Sequence, residues 1–282
     1  MLRTMLTATN TMGELQNQLD TIGHNLANTN THGYKARDSQ FHELLYQQFN
    51  NEKLDRTQRQ SPVGIRYGVG AKLGQIQYNQ KQGALQSTGR DLDFAFNTAK
   101  QFFTVLLPEG DGTREAYTRQ GNFYVSPMQN GNGMLVNGDG YPVADSNGNA
   151  ITFPNANAVK NFGLTAEGGL TITYNDGTGL GQPIELAVTR FERPQFMEHL
   201  SATYFTLPDN LNELGVTEAE LLTPLRGAGR QEVNVQQGVL EMSNVDVGRE
   251  TTELIQTQRM YQMNARSVTL ADQMLGLING IR

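Results

Sequence analysis

Apolar residues recur with helical 3-4 spacing at the two ends of this chain, far apart in sequence. Near the start they are Met5, Ala8, Met12, Leu15, Leu19, Ile22 and Leu26, and from about Val247 to Arg282 a helical pattern returns without proline. Such a period lays one apolar stripe along an α-helix, and a stripe of that kind is stable in water only against another apolar surface. The two ends are therefore predicted to form long helices that pair as a coiled coil. That arrangement is unusual for an enzyme and common in proteins that polymerise.

The C-terminal helix carries two stripes. One runs through Met260, Met263, Ser267, Leu270, Met274, Leu277 and Ile281. The other runs through Leu254, Gln258, Tyr261, Ala265, Val268, Asp272, Leu275 and Asn279. A single partner helix needs one seam, so the second predicts contact with further copies or neighbours, as in a bundle or filament. The alternative is one broad apolar face buried in a monomeric bundle. Ser243-Asn244-Val245-Asp246 reads as the start of this helix, with Ser or Asn as the cap and an acid in the first turn. The first helix is expected to stop in Ala27-Asn28-Thr29-Asn30-Thr31-His32-Gly33, where polar turn formers precede a glycine able to adopt the left-handed conformation.

Between these ends the pattern is β. Short apolar runs such as LDFAF (92–96), FFTVLL (102–107), MLV (134–136), LTITY (170–174) and IELAV (184–188) are separated by Asn-Gly and Asp-Gly turn signals. That is the signature of hairpins in an antiparallel domain. The fold class expected is α+β: residues 1–32 an N-terminal assembly helix, 33–82 a connecting segment with extended structure, 83–235 a central antiparallel β domain, and 236–282 the C-terminal helix with its lead-in. Within 33–82, FHELLYQQF (41–49) is a short amphipathic piece, and Val69 to Tyr78 is strand-like. Residues 195–225 interrupt the β pattern with a partly helical patch at Thr217 to Leu222.

Chemistry is hard to find. The chain has no Cys, which excludes thiol catalysis, zinc–thiolate sites and disulfides. His24, His32, His42 and His199 are scattered without metal-ligand spacing. Asp145-Ser146-Asn147-Gly148-Asn149 begins like a calcium loop, but Ala150 stands where the glycine belongs and Ala156 where the bidentate Glu belongs, so a hairpin turn is expected. Gly68, Gly70 and Gly74 lack a βαβ context and are read as strand bends. A net charge of −6 with no basic cluster argues against nucleic acid. No 18-residue apolar run occurs, so no membrane insertion is expected, and the Thr- and Asn-rich start lacks the apolar stretch of a secretory signal. No catalytic, cofactor or metal residue is assigned, and a peptidoglycan-hydrolase reading finds no catalytic carboxylate to rest on.

ANTNTHGYK (27–35) resembles the N-terminal signature of the flagellar basal-body rod and hook proteins, A-N-x-x-T-x-G-[YF]-K, through Ala27, Asn28, Thr31, Gly33, Tyr34 and Lys35. The stretch 237–275 is similar to the family's C-terminal signature through Ser243, Asn244, Val245 and Asp246, then Gln258, Arg259, Tyr261, Asn264 and Ala265. QGALQSTGRDLDFAF (82–96), FFTV (102–105), YTRQGNF (117–123) and LVNGDGYPV (135–143) follow the family in order. Phe96-Asn97-Thr98-Ala99 departs from it, standing where the family usually has a Gly-rich turn, and 195–225 is longer than usual. The middle most resembles the rod members.

The resemblance implies a structural subunit of the basal-body rod in the cell envelope, with its terminal helices in an inner tube and its β domain outward. It implies partners in other copies and neighbouring rod or hook subunits, and export through the flagellar type III apparatus without a cleaved signal. Phe41 and Leu45 resemble a short export motif, although FHELLYQQF reads equally well as a small amphipathic helix packing locally. The alternative function is an extracellular, adhesin-like β protein on a coiled-coil oligomerisation stem.

Overall fold

A computed structural model describes residues 2–43, 46–49, 65–68, 71–74, 76–110, 112–208, 211 and 215–280. The chain divides into two compact units: one of residues 1–27, 37–77 and 246–282, the other of residues 28–36 and 78–245.

In the first unit, helix α1 spans Leu2–Ala27 and helix α3 spans Val247–Gly280. α1 is rich in Thr, a residue that competes with helix through its hydroxyl. Here Thr7, Thr9, Thr11 and Thr21 turn that hydroxyl onto the carbonyl four residues back, at 2.8–2.9 Å. Its Ala8, Leu15 and Ile22 are buried and Met5, Met12 and Leu19 half-buried, so the 3-4 stripe is the face turned inward. α1 and α3 pack along one another. The start of α3 differs from expectation. Asp246 is the cap, its Oδ1 accepting from the backbone N–H groups of Gly248 (3.0 Å) and Arg249 (3.2 Å). Ser243 and Asn244 precede the helix, because the amide of Asn244 is engaged elsewhere.

The described parts of 41–49 are extended. Phe41–Glu43 pairs antiparallel with Ala71–Leu73, and Tyr46–Phe49 with Ile65–Gly68. The helical alternative for FHELLYQQF is thereby corrected: aromatic residues at 41, 46 and 49 suit a strand, and a partner strand outweighs one or two turns of isolated helix. Gly74 lies where an added Cβ would come within 2.4 Å of the His42 ring. Val69 and Gly70 fall outside the described residues, as do Pro62, Gly64 and Leu45.

The second unit is antiparallel β. Its largest sheet has six strands, in the order Glu198–His199, Tyr204–Thr206, Gly112–Thr118, Gln101–Glu109, Val188–Phe191 and Leu222–Pro224. Two three-stranded sheets, Tyr124–Pro127 with Gly133–Val136 and Thr152–Phe153, and Val159–Leu164 with Gly169–Tyr174 and Ile184–Glu185, follow the predicted turns. At Asp145–Asn149 the carboxylate Oδ1 accepts from Asn147 N and Asn149 N, and Gly148 has φ +87°, so the calcium-like run is a hairpin turn.

FFTVLL is a continuous apolar run because its strand is covered on both faces. Phe103 and Val105 join the main core with Phe94, Phe96, Phe123, Leu135 and Val143. Phe102 joins a second core with Tyr117, Phe191, Met197, Phe205 and Leu222. Three of those six come from 195–225. The segment 195–225 therefore closes the second face of the sheet and supplies three of its strands. Its helical patch shrinks to one turn, α2, at Glu218–Leu221.

Candidate functional site

α3 sorts its two stripes by exposure. Leu254, Tyr261, Ala265, Val268 and Leu275 of one stripe are half-buried, whereas Gln258, Asp272 and Asn279 of the same stripe are exposed. The inward register runs through Thr257 and Ala271, both buried, and half-buried Asn264. Small and polar side chains can fill these positions because they reach partners on the spot: Thr257 Oγ1 donates to Gln18 Oε1 of α1 (3.2 Å), and Asn264 Nδ2 to Met260 O (3.1 Å). A search for apolar spacing overlooks such residues.

The other stripe faces out. Met263 is 68 %, Leu270 58 % and Leu277 69 % exposed, with Met260, Met274 and Ile278 also exposed. On α1, Leu2, Leu6 and, less so, Leu26 are exposed. Thr11, Leu15, Phe41, Met260, Met263 and Asn264 line an open, mostly apolar groove of about 380 Å³. Apolar residues gathered on one face in this way are the kind of surface that contact sites use.

Polar anchors frame the helix pair. The Asn25 amide brackets the backbone of Arg37, donating to its carbonyl (2.8 Å) and accepting from its N–H (2.9 Å). Glu14 accepts from Leu73 N (3.1 Å), and Arg249 pairs with Glu253 (2.8 Å) and Asp38 (3.3 Å). Burial holds the Glu250 carboxyl above the usual carboxylate range. Arg259 is exposed on α3, and Ala27 ends α1 exposed.

The rest of the two terminal signatures lies in the second unit, where 28–36 and 236–245 are built into the β fold. Thr31 closes a turn onto Asn28, through its N–H to the carbonyl (3.2 Å) and its hydroxyl to Oδ1 (3.1 Å). Gly33 has φ +72°, and a Cβ there would fall 2.6 Å from the backbone of Arg119 and Gln120, so both conformation and space require glycine. Its N–H donates to Glu241 O (2.9 Å). Tyr34 is fully buried.

Lys35, also fully buried, donates to Glu241 Oε1 (2.7 Å) and to Lys81 O (2.8 Å). Glu241 Oε2 accepts from Arg119 Nε (2.7 Å), and Gly83 N donates to Oε1 (3.0 Å). Arg119 Nη1 donates to the carbonyls of Thr98 (2.7 Å) and Gln101 (2.8 Å), and its guanidinium lies over the rings of Phe96 and Phe102. Burial lowers Lys35 to about 8 despite Glu241 beside it, and lowers Arg119 as well. Burial pushes the Glu241 carboxyl up, but Arg119 and Lys35 together outweigh it and hold it below the usual range.

Asn244 completes the cluster. Its Oδ1 accepts from Ala36 N (2.7 Å), and its Nδ2 donates to Asn79 O (2.7 Å) and Lys81 O (2.9 Å). Ser243 Oγ accepts from Val245 N (3.4 Å). Arg119 and Glu241 were missed by sequence reasoning, although a lone carboxylate in the strand run VLE (239–241) was a usable signal. Among the described residues no group of three His, Asp or Glu could hold a metal, and no helix is long and apolar enough to cross a membrane.

Comparison with known proteins matches these same regions. Residues 5–35 match the family described as flagella basal body rod protein, 98–173 the flagellar hook protein FlgE/F/G D1 domain, and 236–281 the flagellar basal body rod FlgEFG protein C-terminal. The chain is 43 % identical over 289 residues to the flagellar hook-basal body complex protein FlhP of Bacillus subtilis, covering the whole of both. It is 32 % identical to the flagellar basal-body rod protein FlgG of Borreliella burgdorferi, covering 100 % of this chain and 99 % of that one. FlgG of Bacillus subtilis is also 32 % identical, over 98 % and 97 % of the two chains. These likenesses define a class, the structural proteins of the bacterial flagellum. The chain belongs to the flagellar basal-body rod and hook protein family and is a structural subunit of the basal-body rod, not an enzyme.

Proposed function

We propose that this rod subunit polymerises through its terminal segments, 1–32 and 236–282. On this reading α1 and α3 pair as a coiled coil, and the outer stripe of α3 is the seam for other copies or neighbouring rod and hook subunits. The observation that carries it is the outward Met260, Met263, Leu270, Met274 and Leu277 stripe beside a groove lined by Leu15 and Phe41. Each such side chain contributes roughly 1.5–3 kcal/mol when fully buried, so several together offset the cost of ordering the helices on contact. Head-to-tail contacts of this kind that do not close into a ring extend as a helical tube.

The subunit is taken to reach the cell envelope through the flagellar type III apparatus without a cleaved signal. Phe41, exposed at the edge of the first unit, and Leu45 are the candidates for contact with that apparatus. The test is Leu270→Glu, followed by thermal melting of the purified variant and motility of a strain carrying it. The β unit is expected to melt as in the parent while motility is lost. A motile strain would sink the proposal, and a discrete dimer or trimer on sizing would favour a closed oligomerisation stem instead.

A further inference from the structure

Glu241 is the meeting point of stretches of the second unit that lie far apart in sequence. Its carboxylate takes Lys35, Gly83 and Arg119, and its carbonyl takes Gly33 N. The strand that carries it, Val239–Glu241, pairs with Leu85–Ser87, and the preceding Val235–Gln237 pairs with Phe94–Phe96. Immediately after it, Met242 N donates to Ala84 O (2.8 Å) and Asn244 ties down Ala36, Asn79 and Lys81.

The Lys35 and Arg119 side chains are both 0 % exposed, and among the described residues the only carboxylate paired with either is that of Glu241. Two cations cannot leave water without an anion, because an unpaired buried charge is strongly unfavourable. Arg119 follows the strand Gly112–Thr118 and holds the carbonyls of Thr98 and Gln101, and Lys35 follows Gly33 and Tyr34 and holds the carbonyl of Lys81. Both find their carboxylate on a residue far downstream.

We infer that Glu241 is the closing latch of the second unit: the sheet around Arg119 and the loop around Lys35 become ordered only when 235–244 is in place. The stretch 83–235 is then not a folding unit by itself. Glu241 is residue 241 of 282, so a chain made from its N-terminus holds this unit open until most of it exists. The latch rests on the buried charges and strand pairing of this unit. That it also keeps the chain fit for passage through a narrow export route rests on the export reading above.

The test is pulse-labelled hydrogen exchange during refolding of the full-length chain from urea. Amides of 101–107 and 114–119 are expected to gain protection in the same final phase as those of 239–241. Protection of 101–119 in an earlier phase would overturn the latch. In Lys35→Met/Arg119→Met/Glu241→Leu, which removes all three charges, protection of 101–119 should move ahead of 239–241. An unchanged order there would assign the delay to strand pairing and overturn the role of the charges. If that variant does not fold, the parent chain's refolding order still decides. In native Glu241→Gln, exchange at 33–36, 85–87, 101–107 and 117–119 should rise together by about 100-fold, whereas a rise confined to 239–241 would count against the proposal.

Discussion

Where α3 meets α1, its most buried residues are Glu250, Thr257 and Ala271, and its Met side chains, with Leu270 and Leu277, point away. In the β unit the order is reversed: Phe94, Phe96, Phe102, Phe103, Phe123, Phe191 and Phe205 are all at or near zero exposure. The β unit satisfies itself, down to a buried ion cluster. α3 places small and polar residues on its contact with α1 and leaves its largest apolar side chains outside, which is the composition expected where further contacts are still to be made.

The contrast can be broken most forcefully at the latch. Glu241→Ala strands Lys35 and Arg119 without an anion and should destabilise the β unit by about 3–5 kcal/mol in chemical denaturation followed by near-UV signal. A loss below about 1 kcal/mol would mean that the cluster behaves like a surface ion pair. The same carboxylate sets an acid limit. Its folded pKa lies below the unfolded value near 4.5, so its stabilisation is complete above that value and is lost as pH falls through it toward the folded pKa. Acid titration of the parent should therefore show a loss of stability below about pH 4.5 that is absent from Glu241→Gln.

A paired substitution sharpens the difference between the inner and outer faces of the helix pair. Leu15→Ala, at 2 % exposure, should cost about 2–5 kcal/mol in melting of the helices. Met263→Ala, at 68 % exposure, should leave monomer melting within about 0.5 kcal/mol while weakening assembly. Equal effects of the two on monomer stability would remove the distinction. The smallest effect is expected at the cap: Asp246→Ala should lower stability by about 1 kcal/mol, seen as fraying of the first turn of α3 by hydrogen exchange, and Ser243→Ala should leave that turn unchanged.

The terminal helices were legible because a 3.6-residue period is local and repeats many times, and the hairpins because Asn-Gly and Asp-Gly turns act within a few residues. The register of the inner face was less so. Thr257 and Asn264 carry no apolar signal and Ala271 only a small one, and their inward place depends on what α1 presents opposite them. Within 41–49 the local pattern allowed a helix, and pairing of 41–43 with 71–73 and of 46–49 with 65–68 decided otherwise.

By itself, then, the sequence determined the α+β class, the two long helices with a stripe to spare, and, through ANTNTHGYK and SNVD, the family. Local periodicity and short motifs suffice for these. Only the tertiary structure decided what those motifs do. Lys35, Arg119 and Glu241 are separated by 84 and 122 positions, and no pattern along the chain announces that three charges so far apart share one buried site. It also decided which stripe of α3 is left outside, because burial is a property of the pair and not of the helix.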